Sequence, residues 1–358
     1  MKTKLFSFGA VALLFLCASG AAFGQKAGRM FTGSVGSSKF EMTIERDGGS
    51  ITGDYYYRKS GSTKPLSLSG SIAADGSFTM QESDAAGKKT GEFKGKWHEE
   101  ANDSGASLEG QWLKPGETGE GQFFYAVEQM IFFAKTQITT RELKEAIKAK
   151  KATLSAEYPE LTGGPNAAKF NALVKAAVMS SFAGFRKDMA SLTAADIKNI
   201  GPEMGNYIEV GYSVEYADDD LISVNFGEST FEGGAHPNHG TFTMTYDLKA
   251  GRELKLADLF KPGAKYLAKI ADYSKRDLQG RKDPESGENS GLAQDMWADG
   301  VKPTADNYAN WNITKKGLLI TFPPYQVAAY AFGPQTVIVP YSTLKDIARP
   351  GGALEKSK

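Results

Sequence analysis

Between residues 30 and 127 the chain alternates apolar and polar positions in short runs broken by Gly, Ser, Asp and Asn. Phe40, Met42 and Ile44 alternate with Glu41, Thr43 and Glu45, Asp47-Gly48-Gly49 supplies a turn, and residues 51–57 return as the partner strand. That segment reads as a hairpin. The same period of two recurs at 66–72, at 77–80 after the turn Asp75-Gly76, and at 91–97, 107–112 and 122–127. About seven short strands in succession make an antiparallel meander, which must close or be covered to protect its edges. The expectation is a small β-barrel or β-sandwich. In Gly53-Asp54-Tyr55, Gly95-Lys96-Trp97 and Gly110-Gln111-Trp112 an aromatic follows two residues after a glycine. The glycine lets the strand bend and the aromatic fills the interior; a barrel mouth that takes a small apolar ligand is the competing reading.

Past Gln129 turn residues thin out and helix formers and lysines take over. Residues 141–151 are lysine-rich and read as a linker helix or as a charged strand with a solvated face. Residues 151–158 predict a strand ended by Pro159. From 166 to 185 apolar residues recur at helical spacing, placing Phe170, Leu173, Val174, Ala177, Val178, Phe182 and Phe185 on one face. Thr193 and Asp196 are spaced as a capping box for a short helix. Strands at 207–216 and 221–226 flank the acidic turn Asp218-Asp219-Asp220, and 241–248 with 253–256 form another hairpin. A helix over 265–278 and a polar loop with some helix over 283–306 follow, and the last strands fall at 311–314, 317–322 and 336–340. The fold class is therefore α+β: an amino-terminal antiparallel meander, then an α+β domain with helices packed on an antiparallel sheet.

The first residues add an address. Lys2 and Lys4 precede an apolar run from 5 to 16, and small residues lead to Ala22-Phe23-Gly24, the three parts of a cleavable secretory signal. Cleavage is expected after Gly24, with Ala22 as the second choice. The apolar run is shorter than the ~20 residues of a spanning helix, and Leu16 is too large to precede a lipidated Cys17. Cys17 is the only cysteine, so the mature chain has no disulfide and its stability rests on burial. The chain is expected to be exported, to a periplasm or beyond the cell. Basic and acidic residues balance at 42 each, with no basic cluster, which argues against nucleic acid as a partner.

The second half resembles a known family. Tyr158-Pro159-Glu160-Leu161 with its following helix, Leu221-Ile222-Ser223-Val224, Gly233-Gly234-Ala235-His236, the run from Tyr246-Asp247-Leu248 to Asp258-Leu259-Phe260, and Phe322-Pro323-Pro324-Tyr325-Gln326-Val327-Ala328 carry the likeness. In order and spacing they are similar to the paired extracytoplasmic domains of unknown function in the lysozyme-sensing anti-sigma factor, a pair that also precedes the catalytic domain of some peptidoglycan deacetylases. The resemblance covers about residues 150–345 and implies a sensing or binding module, since catalysis in the deacetylase relatives resides in a separate domain. No membrane span or sigma-binding segment is recognisable, so sigma-factor signalling is not carried over. The implied division is a signal at 1–24, a β-rich domain at 25–129, a linker at 130–150, the first α+β segment of the pair at 151–205, the lysozyme-receptor-type domain at 206–348 and a disordered tail from 349.

Candidate chemistry is sparse. His236 and His239, with Glu232 nearby, supply at most half of the three or four convergent ligands that zinc requires, so no metal or cofactor is expected. Gly233-Gly234 open backbone angles closed to other residues; His236 then either fixes the loop or helps make it a contact surface. Tyr325 and Tyr330, beside Pro323-Pro324, present aromatic surface to a partner or glycan unless they pack into the core. No Gly-x-Ser-x-Gly elbow occurs. Asp218-Asp219-Asp220 reads as a solvated turn rather than an acid–base pair, and lacks the spacing of a calcium loop. No catalytic residue is assigned. The binding candidates are Glu232, Gly233, Gly234, His236, His239, Tyr325 and Tyr330, and the expected role is non-catalytic recognition of a lysozyme-like protein or of peptidoglycan-derived glycan. The alternative is an envelope hydrolase using carboxylates or His236 in an interdomain cleft.

Overall fold

The computed structural model describes residues 28–60, 64–99, 105–199, 205–233, 236–282 and 287–356. The expected signal segment 1–24 and Gly234 lie outside the described residues. Eight strands, β1 Arg29–Val35, β2 Ser38–Asp47, β3 Ser50–Tyr57, β4 Leu66–Ile72, β5 Ser77–Ser83, β6 Lys89–Glu99, β7 Ala106–Leu113 and β8 Gln122–Gln129, form a closed antiparallel barrel. Of the two architectures open to the meander, the barrel is the one formed. The alternation gave no strand at 29–35. That segment is β1, and it closes the barrel by pairing with both β2 and β8.

Inward-facing positions fill the barrel. Phe40, Tyr55, Phe93 and Phe124 are fully buried and meet edge to face, with centroids 5.6, 5.5 and 5.0 Å apart along that series. Tyr55 and Trp97 are buried as expected and Trp112 is half-buried. The glycines before Trp97 and Trp112 do more than bend a strand. Gly95 and Gly110 sit directly opposite each other, and a Cβ on either would stand 2.0 or 2.1 Å from a carbonyl oxygen of the facing strand.

The second body is a six-stranded sheet, ordered β14-β13-β12-β11-β10-β9. Its strands are β9 Gln137–Ile147, β10 Ala152–Thr162, β11 Asn206–Ala217, β12 Leu221–Phe231, β13 Asn238–Asp247 and β14 Arg252–Glu253. Of the two readings for the lysine-rich stretch, the strand is formed, as edge strand β9. β10 does not end at Pro159 but runs through it. Its parallel pairing with β11 stops at Ala156, so Pro159 has a strand partner on one side only, where a missing N–H is tolerated. All neighbours are antiparallel except β10 and β11, whose crossover carries α1 Ala167–Ser191 and α2 Ala194–Asn199. α1 buries Phe170, Val174, Val178, Phe182, Phe185 and Met189 against the sheet. Leu173, placed on that face by the helical spacing, is 39% exposed because it lies at the edge of the stripe. Thr193 and Asp196 form the capping box: the Asp196 carboxylate accepts from Thr193 N–H (2.8 Å) and Thr193 Oγ1 accepts from Asp196 N–H (3.2 Å).

α3 Tyr266–Gln279, α4 Gly291–Asp295, a three-stranded antiparallel sheet (β15 Trp311–Ile313, β16 Gly317–Phe322, β17 Gln335–Pro340) and two short helices, α5 Tyr341–Leu344 and α6 Ala353–Lys356, complete the fold. The tail from 349 is not disordered up to Lys356, because Leu354 is buried in the core beneath α3 and the small sheet. A buried polar seam joins the two sheets: Ser223 Oγ accepts from Asn312 Nδ2 and from Ile313 N–H, both at 3.0 Å. A second seam joins barrel to sheet. Arg58 bridges Glu41 (3.2 Å) and Glu157 (2.7 Å), and Thr140 on β9 donates to Glu41 (2.6 Å). Among the described residues no helix is long and apolar enough to cross a membrane.

Candidate functional site

Two segments about 90 residues apart meet at one surface. The first is the loop from β12 with the start of β13, which carry His236 and His239 respectively. The second is the β16–β17 connection, which begins Pro323-Pro324-Tyr325. This connection is held from beneath: Val327 and Ala328 are buried, and Gln326 Nε2 donates to the carbonyls of Gly300 (3.0 Å) and Asn307 (2.9 Å). With its neighbour anchored, Tyr325 adopts φ 67, a left-handed conformation unusual for a tyrosine, and the residue is 56% exposed.

Tyr330 is the centre of the cluster. Its ring stacks on His236 with centroids 4.2 Å apart at 22°, lies 6.2 Å from His239 at 14°, and meets Tyr325 at 5.4 Å and 34°. Its hydroxyl donates to the Pro237 carbonyl at 2.5 Å, and His236 Nδ1, as the N–H, donates to the same oxygen at 2.8 Å. Four of the seven binding candidates, His236, His239, Tyr325 and Tyr330, thus form one ring platform. Both histidines and Tyr325 are exposed, so the surface is open, aromatic above and polar at its edges.

The other candidates stand apart. Gly233 has φ +93 and open space where a Cβ would be, so its glycine serves the turn. Glu232 lines a separate polar cleft of about 330 Å³ between α1 and β11–β12, with Asp188 and Glu228. Burial, and then the Asp188 charge, lift its carboxyl above the ordinary range. The grouping of Glu232 with both histidines is therefore not formed, and among the described residues no three His, Cys, Asp or Glu side chains are placed to hold a metal ion. The acidic turn is a clamp rather than a solvated face. Asp218 accepts from Leu221 N–H (2.8 Å) and from the Tyr216 hydroxyl (2.8 Å), while Asp219 accepts from the backbone of Ala134 and Lys135.

Residues 146–239 match the family described as "Deacetylase PdaC", and residues 257–342 match the one described as "Protein of unknown function (DUF3298)". Over those residues the chain is similar to a PdaC domain and to a DUF3298 domain. The platform is built from both: His236 and His239 close the PdaC match, and Tyr325 and Tyr330 lie within the DUF3298 match. The peptidoglycan-N-acetylmuramic acid deacetylase PdaC of Bacillus subtilis (strain 168) is 29% identical over 146 residues, 40% of this chain and 30% of that protein. The chain thus aligns with less than a third of that relative. A DUF3298-family protein of Bacteroides fragilis is similar over 62% of this chain and 97% of its own, at 19% identity and TM-score 0.46. One from Pseudomonas aeruginosa is similar over 60% and 94%, at 18% identity and TM-score 0.40.

Proposed function

We propose that the protein is exported and recognises peptidoglycan-derived glycan at the cell envelope without transforming it, with sugar rings stacking on the Tyr325–Tyr330–His236–His239 platform. The observation that carries this reading is the exposed Tyr325 ring beside the stacked His236–Tyr330 pair, fixed by hydrogen bonds to Pro237 and by the anchored Gln326. Rigid aromatic side chains with a polar edge supply contact area at low entropic cost, and such residues dominate the energetics of binding surfaces. The relative named for peptidoglycan deacetylation supports the polymer, and an open surface suits binding rather than enclosed chemistry.

The test is an equilibrium titration of the chain from Gln25 against peptide-free peptidoglycan glycan fragments, with lysozyme as a parallel arm and product analysis of the fragments. Saturable glycan binding is expected, weakened by Tyr325→Ala and by Tyr330→Ala by about tenfold or more each, the loss of roughly 1.4 kcal/mol or more typical of an anchoring tyrosine. Binding to lysozyme alone, or release of products from the fragments, overturns the reading.

A further inference from the structure

Where the barrel meets the six-stranded sheet, a cleft of about 620 Å³ opens, within the size range that holds small ligands. Its barrel wall is formed by β1, β2 and β3 and its sheet wall by the start of β9 and the residues before it. Met30, Ile131 and Phe133 give the walls an apolar character, and Gln137 and Thr139 add hydrogen-bonding groups.

Two carboxylates line the cleft, and their circumstances differ. Glu41 is satisfied: it is paired with Arg58 and accepts from the hydroxyls of Tyr56 and Thr140. Asp54 stands at the mouth, and among the described residues no cation pairs with it. Among the described residues no lysine, arginine or histidine lines the cleft. Partial burial, and then the like charge of Glu45, raise the Asp54 carboxyl above its ordinary range, the environment of an anion without a counter-charge. A ligand that brings an ammonium group to Asp54 would supply that charge, and an aliphatic stem behind it would lie along the apolar walls, as lysine stems do on protein surfaces.

We propose that this cleft binds a short peptide through a primary ammonium at the end of an aliphatic side chain, the ammonium on Asp54 and the stem between Met30 and Phe133. The proposal deepens the envelope reading by adding the peptide part of the same polymer, and takes only the source of the peptide from it. It is tested by calorimetric titration of the chain from Gln25 with a glycan-free tetrapeptide containing one lysine, beside the same peptide acetylated on that side chain. The free-amine peptide is expected to bind saturably. Acetylation, Asp54→Asn and the cleft-filling Thr43→Trp are each expected to weaken binding at least tenfold, and Tyr330→Ala to leave it unchanged. Unchanged thermal melting of Asp54→Asn and Thr43→Trp separates a blocked site from a misfolded barrel. Equal affinity for the acetylated peptide, unchanged affinity in Asp54→Asn, or no saturable binding of the free-amine peptide overturns the proposal. Failure of the glycan titration with success of the peptide one removes the platform reading alone, and the reverse removes the cleft alone.

Discussion

One helical periodicity places Phe182 and Leu173 on the same face, yet Phe182 is fully buried and Leu173 is 39% exposed. Deleting a buried aromatic costs its transfer free energy plus that of the cavity left behind. Phe182→Ala is therefore expected to lower unfolding stability by about 3–5 kcal/mol, whereas Leu173→Ala stays within roughly 0.5 kcal/mol, as for surface positions; urea midpoints at constant m-value measure both. A hydrophobic stripe is legible in a sequence to within a turn of the wheel, but its edges are set by what packs opposite. The platform shows the same division. Its four rings were recognisable as candidates from their residue types and their Gly- and Pro-rich settings. That Tyr330 would stack on His236 was not, because a contact across more than 90 positions leaves no local pattern.

At the scale of elements, the period of two located seven of the eight barrel strands, since each carries Phe, Tyr, Trp, Leu, Ile or Met on alternate positions. β1 has the same glycine-interrupted inward row as β3, Phe31-Gly33-Val35 beside Ile51-Gly53-Tyr55, and it is its pairing with β2 and β8 that places it. Pro159 misled in the opposite direction: proline ends a strand with partners on both sides and is harmless where one side is free. The facing pair Gly95 and Gly110 sets how closely β6 and β7 approach. Gly110→Ala is expected to destabilise the barrel by about 1–3 kcal/mol, the cost of overpacking against backbone that cannot withdraw, read as a lowered melting temperature with loss of the near-ultraviolet signal of Trp97 and Trp112.

At the scale of the whole molecule, barrel and sheet are held together by charge as well as by shape. Burial alone would raise the Glu157 carboxyl, but Lys39 and Arg58 bring it below the ordinary glutamate range. A depressed folded-state value means that the stabilisation is fully present above the unfolded value, about 4.3, and is lost as pH falls through the folded one. In urea midpoints measured from pH 7 down to pH 3, Glu157→Gln is expected to fall below the parent protein at neutral pH and to converge with it at the acid end. Parallel curves would show that the seam adds nothing. The cleft beside this seam was not legible in the sequence, because its walls come from segments that are separately unremarkable and acquire chemistry only when the barrel docks.

The closure of the barrel has a temporal consequence. β1 takes one neighbour from the next strand and the other from β8, whose residues lie nearly 100 positions later. A chain that emerges from its amino terminus can zip β1 through β7 as successive local hairpins, yet one rim of its first strand waits for the last. Contacts of such long sequence separation are the slow ones, so the final seam, and the wall of the neighbouring cleft that includes Met30, take shape only after Gln129 has appeared.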